Sequence, residues 1–184
     1  VYGNMPLEVV NRFCYLGFTF TTKLSPAIGI DHLVTKAKAA SFIICRAFHN
    51  CSTMSKAVFF KLFEAKVQSI LLYSSEIWGL HNIQGIESVH MAACKRFLGV
   101  TVRTPNQMIY SDLQRFPLYI YSSLRVVKYW IRLLDMNENR LARHAYNMLL
   151  TLGQNGYTCW VTHVKKILCN NGFQYVWNNQ FFCN

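Results

Sequence analysis

Eight carboxylates are the acids that this chain could bring to two-metal or acid–base chemistry, and they stand apart. Only Asp135 and Glu138 fall within one helical turn of each other, at a helix end where solvated acids are usual. Two-metal phosphoryl transfer needs carboxylates that converge on a pair of cations. No adjacent Asp pair and no strand ending in carboxylates meets that need. No P-loop, G-x-S-x-G, H-E-x-x-H or dinucleotide glycine fingerprint occurs, and the six histidines are scattered. The expectation is no catalytic residue, no metal ligand and no cofactor in this chain.

Cys159, His163, Cys169 and Cys183 form the one metal-like pattern, at spacings x3, x5 and x13. Zinc sites normally hold a tight Cys pair on a knuckle. Cys159 and His163 can share a helical face, but nothing else has that form. Core thiols with a surface histidine is the favoured reading, and zinc the other. Seven cysteines without a C-x-x-C point to free thiols.

Charge offers more. Nineteen Lys and Arg against eight Asp and Glu give +11. Lys36, Lys38, Arg46, Lys56 and Lys61 lie between Asp31 and Glu64 with no acid among them, and no acid follows Glu138. Such a surface attracts polyanions, nucleic acid first among them. Along the amphipath after Pro117, Tyr121, Arg125, Lys128, Tyr129 and Arg132 fall within an arc of about 100°. Cations for phosphates beside rings for sugars or bases suit a duplex groove. A solvated face whose tyrosines cover a core edge fits equally well. Lys95 and Arg96, with Arg103, make a second cluster, for which complementing a helix C-terminus is slightly the better account.

These groups must be positioned by helices. FCYLGFTF at 13–20 alternates as a half-buried strand does, alone or paired with the LEVV stretch before it, after a GNMP turn at 3–6. Ser25 and Pro26 begin a helix to about His49, its first turn weakened by Gly29. CSTMS caps a helix over 55–78, with Phe59, Phe63, Val67, Ile70 and Ile77 on one side. A helix over 83–98 stops at Gly99. Thr104-Pro105 starts a short one to about Arg115. The amphipath from Pro117 presents Ile120, Leu124, Val127, Ile131 and Leu134 as its apolar stripe. Helices over 140–151, 159–170 and 173–180 complete the series.

Hydrophobic residues make up 52% and charged ones 15%, which is enough to build a core. No apolar stretch reaches the roughly 18 residues of a membrane span. VQSILLYSSEIWG at 67–79 is broken by Gln68, three serines and Glu76. Glu8 and Arg12 interrupt any signal-peptide core. The expected setting is soluble and intracellular, nucleus or cytoplasm, with no membrane partner.

Read in order, several stretches resemble the reverse transcriptase of LINE-type (non-LTR) retrotransposons, downstream of its catalytic centre. They are FCYLGFTF at 13–20, ILLYSSEIWG at 70–79, IESVHMAACKRFLGV at 86–100, TPNQMIY at 104–110, RFPLYI at 115–120, RVVKYWIRLL at 125–134 and NGFQYVWNNQ at 171–180. The resemblance implies that Phe13, Tyr15, Leu16 and Gly17 form a primer-grip turn and strand closing a polymerase palm. A helical thumb would follow, gripping an RNA/DNA template–primer through shape and phosphates rather than sequence.

The implied fold is mainly α, a thumb-like helical bundle preceded by a short β-hairpin remnant of the palm. Its segments would be 1–24 (primer grip), 25–152 (thumb and connection) and 153–184 (a small helical end). The family's glycine in Y-G-S-E-I-W is Ser74 here, a change expected to be tolerable in a helix. The V-Y-G-E-L of the family reads Ile109-Tyr110-Ser111-Asp112-Leu113. The catalytic aspartates, the Mg²⁺ they hold, the fingers and the rest of the palm would belong to a larger enzyme of which this chain is a C-terminal part. The resulting expectation is a fragment that binds nucleic acid without catalysis. A helical protein–protein interaction module is the alternative.

Overall fold

The computed structural model describes residues 8–23, 25–51, 55–79 and 83–180. The GNMP turn, the Leu7 end of LEVV, the middle of CSTMS and Cys183 lie outside the described residues. The protein is mainly helical: a two-stranded antiparallel hairpin leads into a helical bundle. The chain divides into two compact units, Val1–Tyr73 with His81–Phe116, and Ser74–Leu80 with Pro117–Asn184. The segments read at 1–24, 25–152 and 153–184 are not the boundaries of these units.

In the first unit, FCYLGFTF is not one strand. It contains the turn of a hairpin whose strands are β1 (Arg12–Tyr15) and β2 (Phe18–Thr21), with Phe13 opposite Phe20 and Tyr15 opposite Phe18. Leu16 and Gly17 have φ of 48° and 84°. Positive φ at both central residues is what a two-residue type I′ turn requires, because its twist matches that of the flanking strands. The alternation of residue types is that of a strand throughout, so only the glycine marks the reversal.

Helix α1 (Ala27–Asn50) packs under β2. A Cβ on Gly29 would stand 2.5 Å from the Phe18 ring, so the glycine is the seat of that ring. Thr19, also buried, hydrogen-bonds His32 Nδ1 at 2.9 Å.

The helix expected over 55–78 is interrupted. Helix α2 (Lys56–Phe63), capped by Ser55 Oγ accepting from the Val58 N–H, runs into a π turn at Glu64–Gln68. Helix α3 (Ser69–Leu71) then ends in a turn where Ser74 has φ of 54°. Helix α4 (Ser75–Trp78) follows that break, and Ile77 is 59% exposed instead of buried with Phe59, Phe63 and Val67. Ser74 is therefore not in a helix but in a left-handed position that favours glycine. Helix α5 (Gln84–Leu98) stops at Gly99, whose φ is 67°. Helix α6 (Asn106–Leu113) follows Pro105. Phe48, Phe59, Phe60 and Phe97 join α1, α2 and α5, with ring centroids 5.0–5.2 Å apart.

In the second unit, α4 packs on α7 (Leu118–Leu134). A Cβ on Gly79 would lie 2.2 Å from the Ser75 carbonyl oxygen and 3.0 Å from Ser122 Cβ. The small pair Gly79 and Ser122 thus permits the close approach, and Ser122 Oγ donates to the Tyr119 carbonyl at 2.9 Å. Helices α8 (Leu141–Gln154), α9 (Trp160–Asn170) and α10 (Gln174–Asn179) close around Val126, Trp130, Leu133, Tyr146, Val164 and Trp177. No helix among the described residues is long and apolar enough to cross a membrane.

Candidate nucleic-acid interface

The buried line of α7 is Leu118, Ser122, Val126, Trp130 and Leu133. It is rotated by roughly 140°, at about 100° per residue, from the stripe expected through Ile120, Leu124, Val127, Ile131 and Leu134. Leu124 is 52% and Ile131 48% exposed. Both lines have helical period. Counting apolar residues selects the wrong one because Ser122 is needed for its size against Gly79. Trp130, for its part, stacks on Trp177 with centroids 5.8 Å apart.

The cationic residues nevertheless share an outward face. Arg125, Lys128 and Arg132 are exposed and Tyr121 is half-buried beside them. Lys128 and Arg132 form no ion pair among the described residues. Tyr129 belongs to the core edge instead, its ring edge-on to Trp160 with centroids 5.9 Å apart. Leu124 and Ile131 accompany these cations, so the outward side of α7 is both basic and apolar.

The second cluster is partly dispersed. Lys95 is half-buried and its Nζ donates to the Val102 carbonyl at 2.8 Å, tying down the loop after Gly99. Arg96 is exposed, and Arg103 stands on that loop. Lys95 and Arg96 also line a cleft of about 690 Å³ between α1 and α5, where they meet Lys38, Phe42 and His49. Sequence reasoning missed Lys38, Phe42 and His49 as a set. Their four- and seven-residue steps were the available signal.

At the hairpin, Phe13, Tyr15 and Leu16 are exposed, and Phe13 and Tyr15 stack with centroids 6.5 Å apart. The Leu16 carbonyl accepts a hydrogen bond from Tyr73 Oη at 2.6 Å, which holds the turn in place.

Among the described residues no group of three His, Cys, Asp or Glu is arranged to hold a metal ion. Glu64 and Glu87 are instead engaged in a side-chain network that sequence reasoning did not find. Arg115 Nη1 donates to Glu64 at 2.8 Å, and its guanidinium lies 4.4 Å above the Phe60 ring. Arg115 Nε donates to His90 Nε2 at 3.3 Å, and His90 Nδ1 meets Glu87 Oε1 at 2.9 Å. The arginine donor thereby assigns the lone pair to Nε2 and the proton to Nδ1. Tyr110 Oη donates to the same Glu87 oxygen at 2.5 Å. His90 is fully buried.

Beside this network, burial pushes the Cys94 thiol up to about 12, with Glu87 adding to the rise and Arg115 opposing it. The Glu87–His90 spacing of three was legible in the sequence. The arrival of Arg115 and Glu64 from distant segments was not.

In the C-terminal segment, Cys159 Sγ donates to the Leu149 carbonyl at 3.3 Å, and His163 Nδ1 lies 2.9 Å from the Cys159 carbonyl oxygen. Both side chains thus serve the start of α9. Tyr146 Oη accepts from Trp130 Nε1 at 3.2 Å, and burial raises its pKa against the opposing effects of that bond and of Arg143.

Comparison with protein-family models, with curated proteins and with solved structures finds no match.

Proposed function

We propose that this chain is a nucleic-acid-binding helical module of reverse-transcriptase type that holds an RNA/DNA template–primer duplex without sequence preference and without catalysis of its own. One observation carries the reading. Arg125, Lys128 and Arg132 stand exposed on one face of α7, in a chain of net charge +11. A row of cations on an exposed helix face tracks phosphates whatever the base sequence. The ordered resemblance to the region after a reverse-transcriptase centre supports the same partner. The exposed Phe13–Leu16 hairpin suits close approach to a primer end. Palm and fingers with their Mg²⁺-holding aspartates would be supplied by other polypeptide.

Affinity for a hybrid duplex should fall as salt rises. If about four phosphates are neutralised, the log–log slope is roughly −3 to −4. Replacing Arg125, Lys128 and Arg132 together by alanine should flatten the slope and weaken binding while the protein stays folded. A slope near zero in the unaltered chain would refute the reading. Primer extension with Mg²⁺ should show no incorporation.

A second reading, a helical protein–protein module, is favoured by one feature, the exposure of Leu124 and Ile131 beside the cations. Recovery of a discrete protein partner that Leu124→Ser releases, with no duplex binding, would select it.

A further inference from the structure

We propose that the cleft between α1 and α5 binds a short single-stranded segment of nucleic acid, with Phe42 as a stacking platform and Lys38, Lys95 and Arg96 facing its phosphates. The inference rests on the nucleic-acid reading above but concerns a separate surface in the first unit. The cleft encloses about 690 Å³. Its walls are two helical stripes: Lys38, Phe42, Cys45 and His49 on α1, and Ser88, Ala92 and Lys95 on α5, continued by Gly99 at its end. Residues three and four apart lie one above the other on a helix, so each wall is continuous.

Charge and ring chemistry identify the occupant. None of the residues lining the cleft is acidic, so a polyanion enters without repulsion. Lys95 gives one N–H to the Val102 carbonyl and keeps two more to donate. Phe42 is 58% exposed on the wall, one helical turn from Lys38. An accessible ring flanked by cations is the combination that holds single strands, since every base has a π face and every nucleotide a phosphate.

Shape separates this site from the α7 face. An A-form RNA–DNA hybrid closes its major groove to protein and offers a wide, shallow minor groove between two phosphate backbones, which an exposed helix face meets from outside. A cleft between two packed helices, with axes about 8–10 Å apart, receives a single strand instead. From Lys38 to His49 the wall runs about 16 Å at 1.5 Å per residue. That matches roughly three to five nucleotides at 3.4 Å or more per phosphate. Ser88 and Ala92 are too small to block the way across α5, and they also line a second depression of about 460 Å³ with Gln84, Asn106 and Glu87, whose carboxylate bounds the acid-free path.

Fluorescence anisotropy on the full chain tests this with two probes at one salt concentration, a 12-nucleotide oligo-dT and a 12-base-pair RNA–DNA hybrid. Phe42→Ala should weaken oligo-dT binding about fivefold or more, and Phe42→Tyr should restore it. Lys38→Ala should weaken it about threefold. Neither change should move hybrid affinity by more than about twofold, because the hybrid is held on α7. Both positions are exposed, and thermal melting will verify that the variants fold. Oligo-dT binding indifferent to Phe42 and Lys38, with hybrid binding intact, overturns this inference alone. Failure of both probes on the unaltered chain overturns the duplex reading as well. A labelled poly-glutamate peptide that occupies the cleft in preference to oligo-dT, and is lost in Phe42→Ala, would reassign it to acidic proteins and also overturn the proposal.

Discussion

The two units solve the same problem, holding short helices together, by different chemistry. The first joins α5, α6 and the π turn through Glu64, Arg115, His90, Glu87 and Tyr110, beside a cluster of phenylalanines. The second relies on packed Trp and Tyr rings and on the close approach of Gly79 to Ser122. The consequence is seen in their cations. In the first unit, Arg115 is turned inward and Lys95 holds a loop. In the second, Arg143 is drawn over Tyr146 and donates to the Leu133 carbonyl, while Arg125, Lys128 and Arg132 remain at the surface. Basic residues are therefore not equally placed to meet a partner, although a charge count weighs them alike. A charge count measures attraction at long range, whereas the structure decides which charges can touch a partner.

The comparison can be broken most forcefully at Gly79. Gly79→Ala forces a Cβ against a backbone oxygen, so the second unit should lose about 3 kcal/mol, read as a drop in melting temperature followed by tryptophan fluorescence. A neutral result would show that the close approach is not what holds α4 to α7. In the first unit, Glu87→Leu should cost about 2–3 kcal/mol because it takes away the carboxylate that accepts from the buried His90 N–H and from the Tyr110 O–H. Adding Tyr110→Phe should recover part of that loss, and strict additivity in the double mutant would argue against a shared network.

Ser74→Gly works in the opposite direction. Removing a side chain from a left-handed position should stabilise the protein by about 1 kcal/mol, measured by denaturant midpoint. Unchanged stability would mean that Ser74 carries no strain.

The smallest effect at neutral pH belongs to Cys94, where the thiol keeps its proton whether the chain is folded or not. Above pH 9 the signs diverge. The folded state holds the proton up to about 12 while the unfolded thiol loses it near 9.0, so stability falls as pH climbs through that window. Site-resolved alkylation at pH 9 should label the exposed Cys14 and Cys51 long before Cys94. Equal rates would contradict its burial.

Much of the fold was legible because its signals are local. Pro117 and Gly99 mark helix ends through φ alone, and the helix boundaries over 84–98 and 118–134 follow from them. Two local signals misled. The hairpin turn hid inside FCYLGFTF because Leu16 is an unusual residue for a position that usually holds Asn or Asp. The continuous helix over 55–78 failed because a π turn and a left-handed serine follow no periodicity rule. On α7 the period was right and the phase was wrong, since a small polar residue and a large indole took the inward side. The cationic face was readable from spacing. The cleft at Phe42 was not, because it needs a second helix from a later segment.

Composition and spacing alone determined that the chain is mostly helix, strongly basic and poor in converging carboxylates, since propensity, charge and turn chemistry are properties of neighbours along the backbone. Only the tertiary structure decided which helical face turns inward, which arginines are bound to carboxylates and carbonyls, and where a ring lies open beside lysines. Those outcomes depend on segments distant in sequence meeting in space, where size and hydrogen-bond partners, rather than hydrophobicity alone, select one packing over another.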